Sequence, residues 1–162
     1  MSSWFRRPHP PAHAGQPEPE PEESPAALAR ALDEQVAYIN RSAGRLPAEA
    51  VVLSRRVTDA VSDVVDLAAG GELDIQVALT VRKIITDYLP TALRTYLALE
   101  ADAVEVPGAQ GVSPRQALGL QLADLLAGAT DVRSAAQARD ADALVSHGAF
   151  LRAKFTGSDL DL

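Results

Sequence analysis

The sequence predicts an all-α fold, a helical bundle of four to five helices with a long C-terminal helix and a disordered Pro/Glu-rich N-terminal arm. Three observations carry this reading. Apolar residues recur at spacings of three and four from residue 24 onward, the period of an α-helix. Ser-Pro or Pro stands ahead of several of these stretches and Gly behind them, as helix starts and stops require. Six of the eleven prolines crowd into residues 1–23, where no apolar period exists. The chain therefore divides into an arm over 1–23, a helical domain over 24–155 and a frayed acidic tail over 156–162.

The arm also holds Glu18, Glu20, Glu22 and Glu23. Such a segment buries too little apolar surface to offset its ordering entropy, and Pro favours extended polyproline-like chain. Its one cluster of anchoring side chains is Trp4-Phe5-Arg6-Arg7. Trp and Arg are frequent interface anchors, so these four residues are the candidate docking motif of the arm. No apolar stretch follows them, so they do not read as a secretory leader.

Ser24-Pro25 reads as an N-cap followed by Pro in the first turn, where its missing N–H costs nothing. Leu28, Leu32, Val36 and Ile39 then mark the inner face of a first helix, and Gly44 is expected to end it in a left-handed conformation. Pro47 opens a second helix with Leu53, Val57, Ala60, Val64 and Leu67 inward and Val61 and Ala68 beside them, closed by Gly70-Gly71. Asp74 begins a third, with Ile75, Ala78, Val81, Ile85 and Tyr88 on its inner face. Pro90 is expected to break this helix, since it removes a backbone bond and biases Leu89 away from helical angles. A short fourth helix follows to about Leu99, with Leu93, Tyr96 and Leu97 inward. Residues 101–112 read as a loop that touches the core through Val104 and Val106.

Ser113-Pro114 repeats the cap signature. Leu118, Leu122, Leu125, Ala129, Val132, Ala136, Arg139, Ala143, Ser146 and Phe150 then alternate steps of four and three, a coiled-coil-like seam that weakens after Leu125. One unbroken helix over 113–155 would be roughly 65 Å long at about 1.5 Å per residue. That exceeds a domain of this size, so the helix either breaks, near Gly128 or His147-Gly148, or packs its far half on a partner. Arg139 stands where the seam asks for an apolar side chain. It is expected in water in a monomer, or opposite a carboxylate such as Asp131 or Asp142 of a second chain.

Composition excludes several chemistries. The 162 residues carry a formal net charge of −7, which argues against nucleic-acid binding, since that needs a basic face to neutralise phosphates. The chain has no Cys, so disulfides, thiol nucleophiles and Cys-ligated zinc are ruled out. No apolar run approaches the roughly 20 residues that span a bilayer. His9 and His13 lie in the arm and His147 stands alone. Asp59, Asp63 and Asp66 share one face of the second helix and read as a solvated face paired with Arg55 and Arg56. There is neither a GxxxxGK[ST] nor a GxGxxG phosphate motif. No catalytic residue, cofactor or metal is expected.

One stretch carries a family resemblance. The core Tyr88-Leu89-Pro90, Leu93 and Tyr96-Leu97, within residues 81–97, resembles a helical motif of the proteins named for bromochloroindolyl phosphate hydrolysis, a family linked to toxic-anion resistance. It is also similar to segments of small helical proteins from high-GC bacteria. The resemblance implies a bacterial helical protein, and it brings no catalytic group with it.

The function expected from these readings is a non-enzymatic, cytoplasmic interaction or scaffold protein with a protein partner, monomeric in isolation. A membrane-peripheral or envelope-stress accessory role is the alternative, followed by a small hydrolase. The candidate contact residues are Trp4, Phe5, Arg6 and Arg7 in the arm, Tyr88, Leu93 and Tyr96 around Pro90, and Arg139.

Overall fold

A computed structural model describes residues 20–69, 73–109 and 111–156, with side chains through residue 139 and at 141 and 142. It is a four-rod, up-down-up-down bundle of α-helices. The first rod is α1 (Pro25–Ser42), which passes into a single 3₁₀ turn (Ala43–Arg45). The second is α2 (Ala48–Ala69). The third is built from α3 (Ile75–Lys83), a π turn (Ile84–Tyr88) and α4 (Leu89–Leu97) in unbroken succession. The fourth is α5 (Pro114–Thr156). Three cross-links fix the directions. Arg45 donates to the Leu97 carbonyl at 2.7 Å and Arg82 pairs with Glu22, so α1 and the third rod run the same way. Arg115 meets Glu49 at 2.7 Å and Arg133 meets Asp63 at 3.2 Å, so α2 runs with α5.

Side-chain caps start three of the helices. The Ser24 hydroxyl accepts from Ala27 N–H, and the Asp74 carboxylate accepts from the N–H groups of Gln76 and Val77. Ser113 and Gln116 form a reciprocal box: Gln116 N–H donates to the Ser113 hydroxyl, and Ser113 N–H donates to the Gln116 side-chain oxygen. Just ahead of α1, Glu20 bonds Arg30 and Ser24, and Glu22 and Glu23 meet Arg82. Gly44 is not left-handed; among the described residues only Gly111 has a positive φ, at 74°. The chain leaves α1 by tightening into the 3₁₀ turn instead. Gly70-Gly71 lies outside the described residues.

The core is aliphatic, built around Leu28, Ile39, Val57, Val61, Val64, Val81, Leu89, Leu93 and Leu122. Two helix faces differ from the expected ones. In α1, Gln35 is buried and Val36 is exposed. At 100° per residue, Gln35 falls about 40° from the centre of the Leu28–Leu32–Ile39 stripe and Val36 about 60° from it. In α2 the stripe runs Ala50, Ser54, Val57, Val61, Val64, Ala68, with Leu53 and Leu67 half-buried on its flanks. Val104 packs against the core, whereas Val106 is exposed.

Pro90 does not break the third rod. An α-ladder there would need a Pro90 N–H for the Thr86 carbonyl, and the ring would press on that same carbonyl. The helix widens instead: Leu89 N–H reaches back five residues to Ile84, with Leu89 still helical at φ −63°, ψ −51°. The extra residue rotates everything beyond it by about 100° against an α register. Leu89 therefore joins Val81 and Ile85 inside, and Tyr88 turns outward. Ile75, at the first position of α3, is exposed as well.

Helix α5 is continuous from Pro114 to Thr156, through Gly128 and through His147-Gly148. Leu118, Leu122, Ala129 and Ala136 are buried and Leu125 and Val132 half-buried, so the seam packs within the chain as far as Ala136. Arg139, next on the seam, pairs with Asp74 of the same chain. The side chains of Ala143, Ser146 and Phe150 lie outside the described residues. Among the described residues no helix is long and apolar enough to cross a membrane.

Candidate functional site

The outward turn of Tyr88 opens a groove of about 550 Å³ between the third rod and α5. One wall is Asp87, Tyr88, Thr91, Ala92 and Thr95, from the π turn and α4; the other is Gln121, Asp124 and Leu125, from α5. Helical spacing makes the first wall, because 88, 91, 92 and 95 share a face. The short side chain of Ala92 leaves the floor low. Tyr88 is 49% exposed, and Leu120, one turn before Asp124 on α5, is 62% exposed.

The groove is acidic. Asp87 and Asp124 contribute a carboxylate to each wall. Thr91 donates its hydroxyl to Asp87 at 3.5 Å and accepts from Arg94 at 3.4 Å. Among the described residues neither Asp87 nor Asp124 has a basic side chain within 4.0 Å. Two uncompensated carboxylates beside an apolar floor suit a ligand that is apolar in its middle and cationic at its ends.

A second cleft, of about 320 Å³, lies between α1 and the π turn. Its wall includes Gln35, Tyr38, Arg41, Thr86 and Arg94, with Glu34 among the cations. The Gln35 Nε2 there is buried without a hydrogen-bond partner. A smaller cleft of about 270 Å³ touches Arg45, Tyr96 and Leu99.

The residues singled out from sequence do not converge on one place. Tyr88 lines the acidic groove. Leu93 is fully buried in the core. Tyr96 is 9% exposed, and burial pushes its phenol up from its ordinary value, so the hydroxyl stays protonated to higher pH. Arg139 is engaged with Asp74, away from the groove. Trp4, Phe5, Arg6 and Arg7 lie outside the described residues. Sequence reading missed Asp87, Gln121 and Asp124, and it assigned Leu125 wholly to the seam. The signal for them was the position of Gln121 and Asp124 one step outside the Leu118–Leu122–Leu125 stripe, which points at nothing until the π turn places Tyr88 opposite.

The Asp carboxylates of α2 are not paired as their spacing suggested. Asp63 takes Arg133 of α5, and Arg55 donates to Asn40 of α1 at 2.9 Å. Among the described residues no three His, Asp or Glu side chains gather closely enough to hold a metal ion.

No family model, no curated protein and no solved structure matches this chain.

Proposed function

We propose that this chain is a non-enzymatic, cytoplasmic interaction protein that holds a cationic, aromatic-bearing segment of a protein partner in the groove between Tyr88 and Asp124. The observation that carries the reading is the pairing of an apolar floor with two carboxylates that have no cationic partner among the described residues. Segments of this kind bind by seating an aromatic or aliphatic anchor in the groove while Arg side chains meet the acidic rim. Leu89, Leu93 and Leu122, on the same two rods as the groove walls, are fully buried. A preformed groove needs little reorganisation on binding, which favours affinity from a small contact area.

Fluorescence anisotropy tests the reading with a labelled peptide that combines one Trp with two Arg. Saturable binding is expected, weakened at least about tenfold (roughly 1.4 kcal/mol) by Tyr88→Ala together with Asp124→Lys. Replacing both Arg of the peptide by Glu should abolish it. Equal binding of the two peptides, or binding indifferent to the groove variants, contradicts the proposal.

A further inference from the structure

We infer that the groove is occupied within the same chain by the Trp4-Phe5-Arg6-Arg7 segment, which a partner must displace. The inference rests on the groove reading above and names the occupant.

Three observations converge. The first is chemistry. The groove wants an apolar anchor flanked by cations, and over residues 1–19 the chain offers one such cluster, Trp4 and Phe5 followed by Arg6 and Arg7. The rest of that stretch is mostly Pro, Ala, His and Glu, with nothing to fill an apolar floor. Asp87 and Asp124 on opposite walls are free to receive the two guanidinium groups.

The second is the point of departure. Glu20 is held by Arg30 and Ser24, and Glu22 and Glu23 by Arg82. Arg82 lies on the third rod, six positions before Tyr88. The hydrogen bonds of Glu20, first to Arg30 and then to Ser24, hold its carboxyl below the ordinary value, so it is ionised at neutral pH. Glu20, where residues 1–19 join the bundle, therefore sits against α1, and the rod that forms one wall of the groove is met two residues later, at Glu22.

The third is reach. Twelve residues, and so thirteen chain steps, separate Arg7 from Glu20. A flexible chain of that length has an r.m.s. span of about 20 Å, and a polyproline-like one extends to about 40 Å. The rod from Arg82 to Thr95 is about 20 Å long at 1.5 Å per residue. A tether of about 20–40 Å is thus at least as long as that wall of the groove. Short tethers hold their ends at effective concentrations in the millimolar range, so a weak contact suffices to fill the groove in cis, and a partner must bind more tightly than the free groove alone would require.

The chain supplies its own reporter, because Trp4 is the sole Trp. In the full chain, Trp4 emission should be blue-shifted and its acrylamide quenching reduced relative to a peptide of residues 1–12. Both properties should be independent of protein concentration. Tyr88→Ala with Asp124→Lys should return both to the peptide values while far-UV circular dichroism is unchanged. Trp4 indistinguishable from the peptide, or shielded but indifferent to the groove variants, overturns the inference. Shielding that fades on dilution also overturns it and places the segment in the groove of a second copy. A Trp4→Ala/Phe5→Ala chain, titrated with the labelled Trp-Arg-Arg peptide, separates the two levels. Binding there with an unshielded Trp4 in the parent sinks only the intramolecular contact; no binding in either chain sinks the groove reading as well.

Discussion

Asp74 caps the start of α3 with one carboxylate oxygen and takes Arg139, from α5, on the other. A single side chain thus fixes where the third rod begins and ties it to the fourth. The seam of α5 is small at that level, with Ala129 and Ala136 buried. Small side chains allow close approach but bury little area, and burial contributes only about 25 cal/mol per Å². A polar clasp at the end of such a seam sets its register where packing is weak. Beyond it α5 runs on to Thr156.

The cap matters more than the ion pair in this clasp. Arg139 is 64% exposed on its side chain, and exposed pairs contribute little. Asp74→Ala should lower the thermal midpoint by a few degrees, roughly 2–4 °C, through the lost N-cap. Arg139→Ala should leave it within about 1 °C, since an exposed pair is near neutral. Differential scanning calorimetry of the two variants distinguishes them, and equal losses would show that the pair, not the cap, fixes the rod.

Acid should weaken the bundle, and Asp74 should account for part of the loss. Its pKa is lowered by Arg139 first and then by the Gln76 N–H. Glu49 is lowered too, chiefly by its hydrogen bonds with Arg115, whose own guanidinium is pushed up in return. A carboxyl with a depressed folded-state pKa stabilises the fold above its unfolded value near 4, and that contribution vanishes as pH falls through the folded-state value. Urea midpoints should therefore be flat from about pH 7 to about pH 5 and fall below about pH 4. Asp74→Asn should flatten the slope. An unchanged slope in that variant would contradict the assignment.

Ser54 should be worth removing. It is fully buried in α2, and its hydroxyl has no hydrogen-bond partner among the described residues. An unmet buried hydroxyl costs about 1–3 kcal/mol, and Ala is the better helix former. Ser54→Ala is expected to stabilise the protein by about 1 kcal/mol, read from equilibrium urea unfolding. A loss of stability would mean that the hydroxyl is satisfied in solution.

Leu93 should be intolerant of charge. It is fully buried between the third rod and the core. Leu93→Ala should cost about 2–5 kcal/mol, and Leu93→Asp should prevent cooperative unfolding altogether, because an unpaired carboxylate in that site has no compensation. Near-wild-type melting of Leu93→Asp would place the residue at a surface.

The bundle was legible in sequence because its punctuation is local. Ser24, Asp74 and Ser113 cap helices by reaching two or three residues ahead, and the Leu28–Leu32–Ile39 and Leu118–Leu122 stripes follow from helical period alone. The ion pairs of Glu20, Glu22 and Glu23 with Arg30 and Arg82 were not foreseen, because partners up to sixty positions away are invisible to a local reading. The groove was illegible for a different reason. Period counting carries the α register of the third helix up to a break at Pro90 and puts Tyr88 inside. The π turn inserts a residue and sends it out, and only the packing of Leu89 and Leu93 selects that solution over a break. Arg139 was recognised as out of place on an apolar seam, but its answer, Asp74, sits in the link between two other rods.

The central claim is that the surface between the π turn and α5 receives an aromatic, cationic segment. Amide chemical-shift mapping of the ¹⁵N-labelled Trp4→Ala/Phe5→Ala chain, titrated with the Trp-Arg-Arg peptide, tests it most directly. The account predicts shifts confined to the groove, at Asp87, Tyr88, Thr91, Thr95, Gln121 and Asp124, with the cleft at Tyr38, Arg41 and Arg94 unmoved. Shifts centred on that second cleft, or scattered over the bundle without a focus at Tyr88, would contradict it.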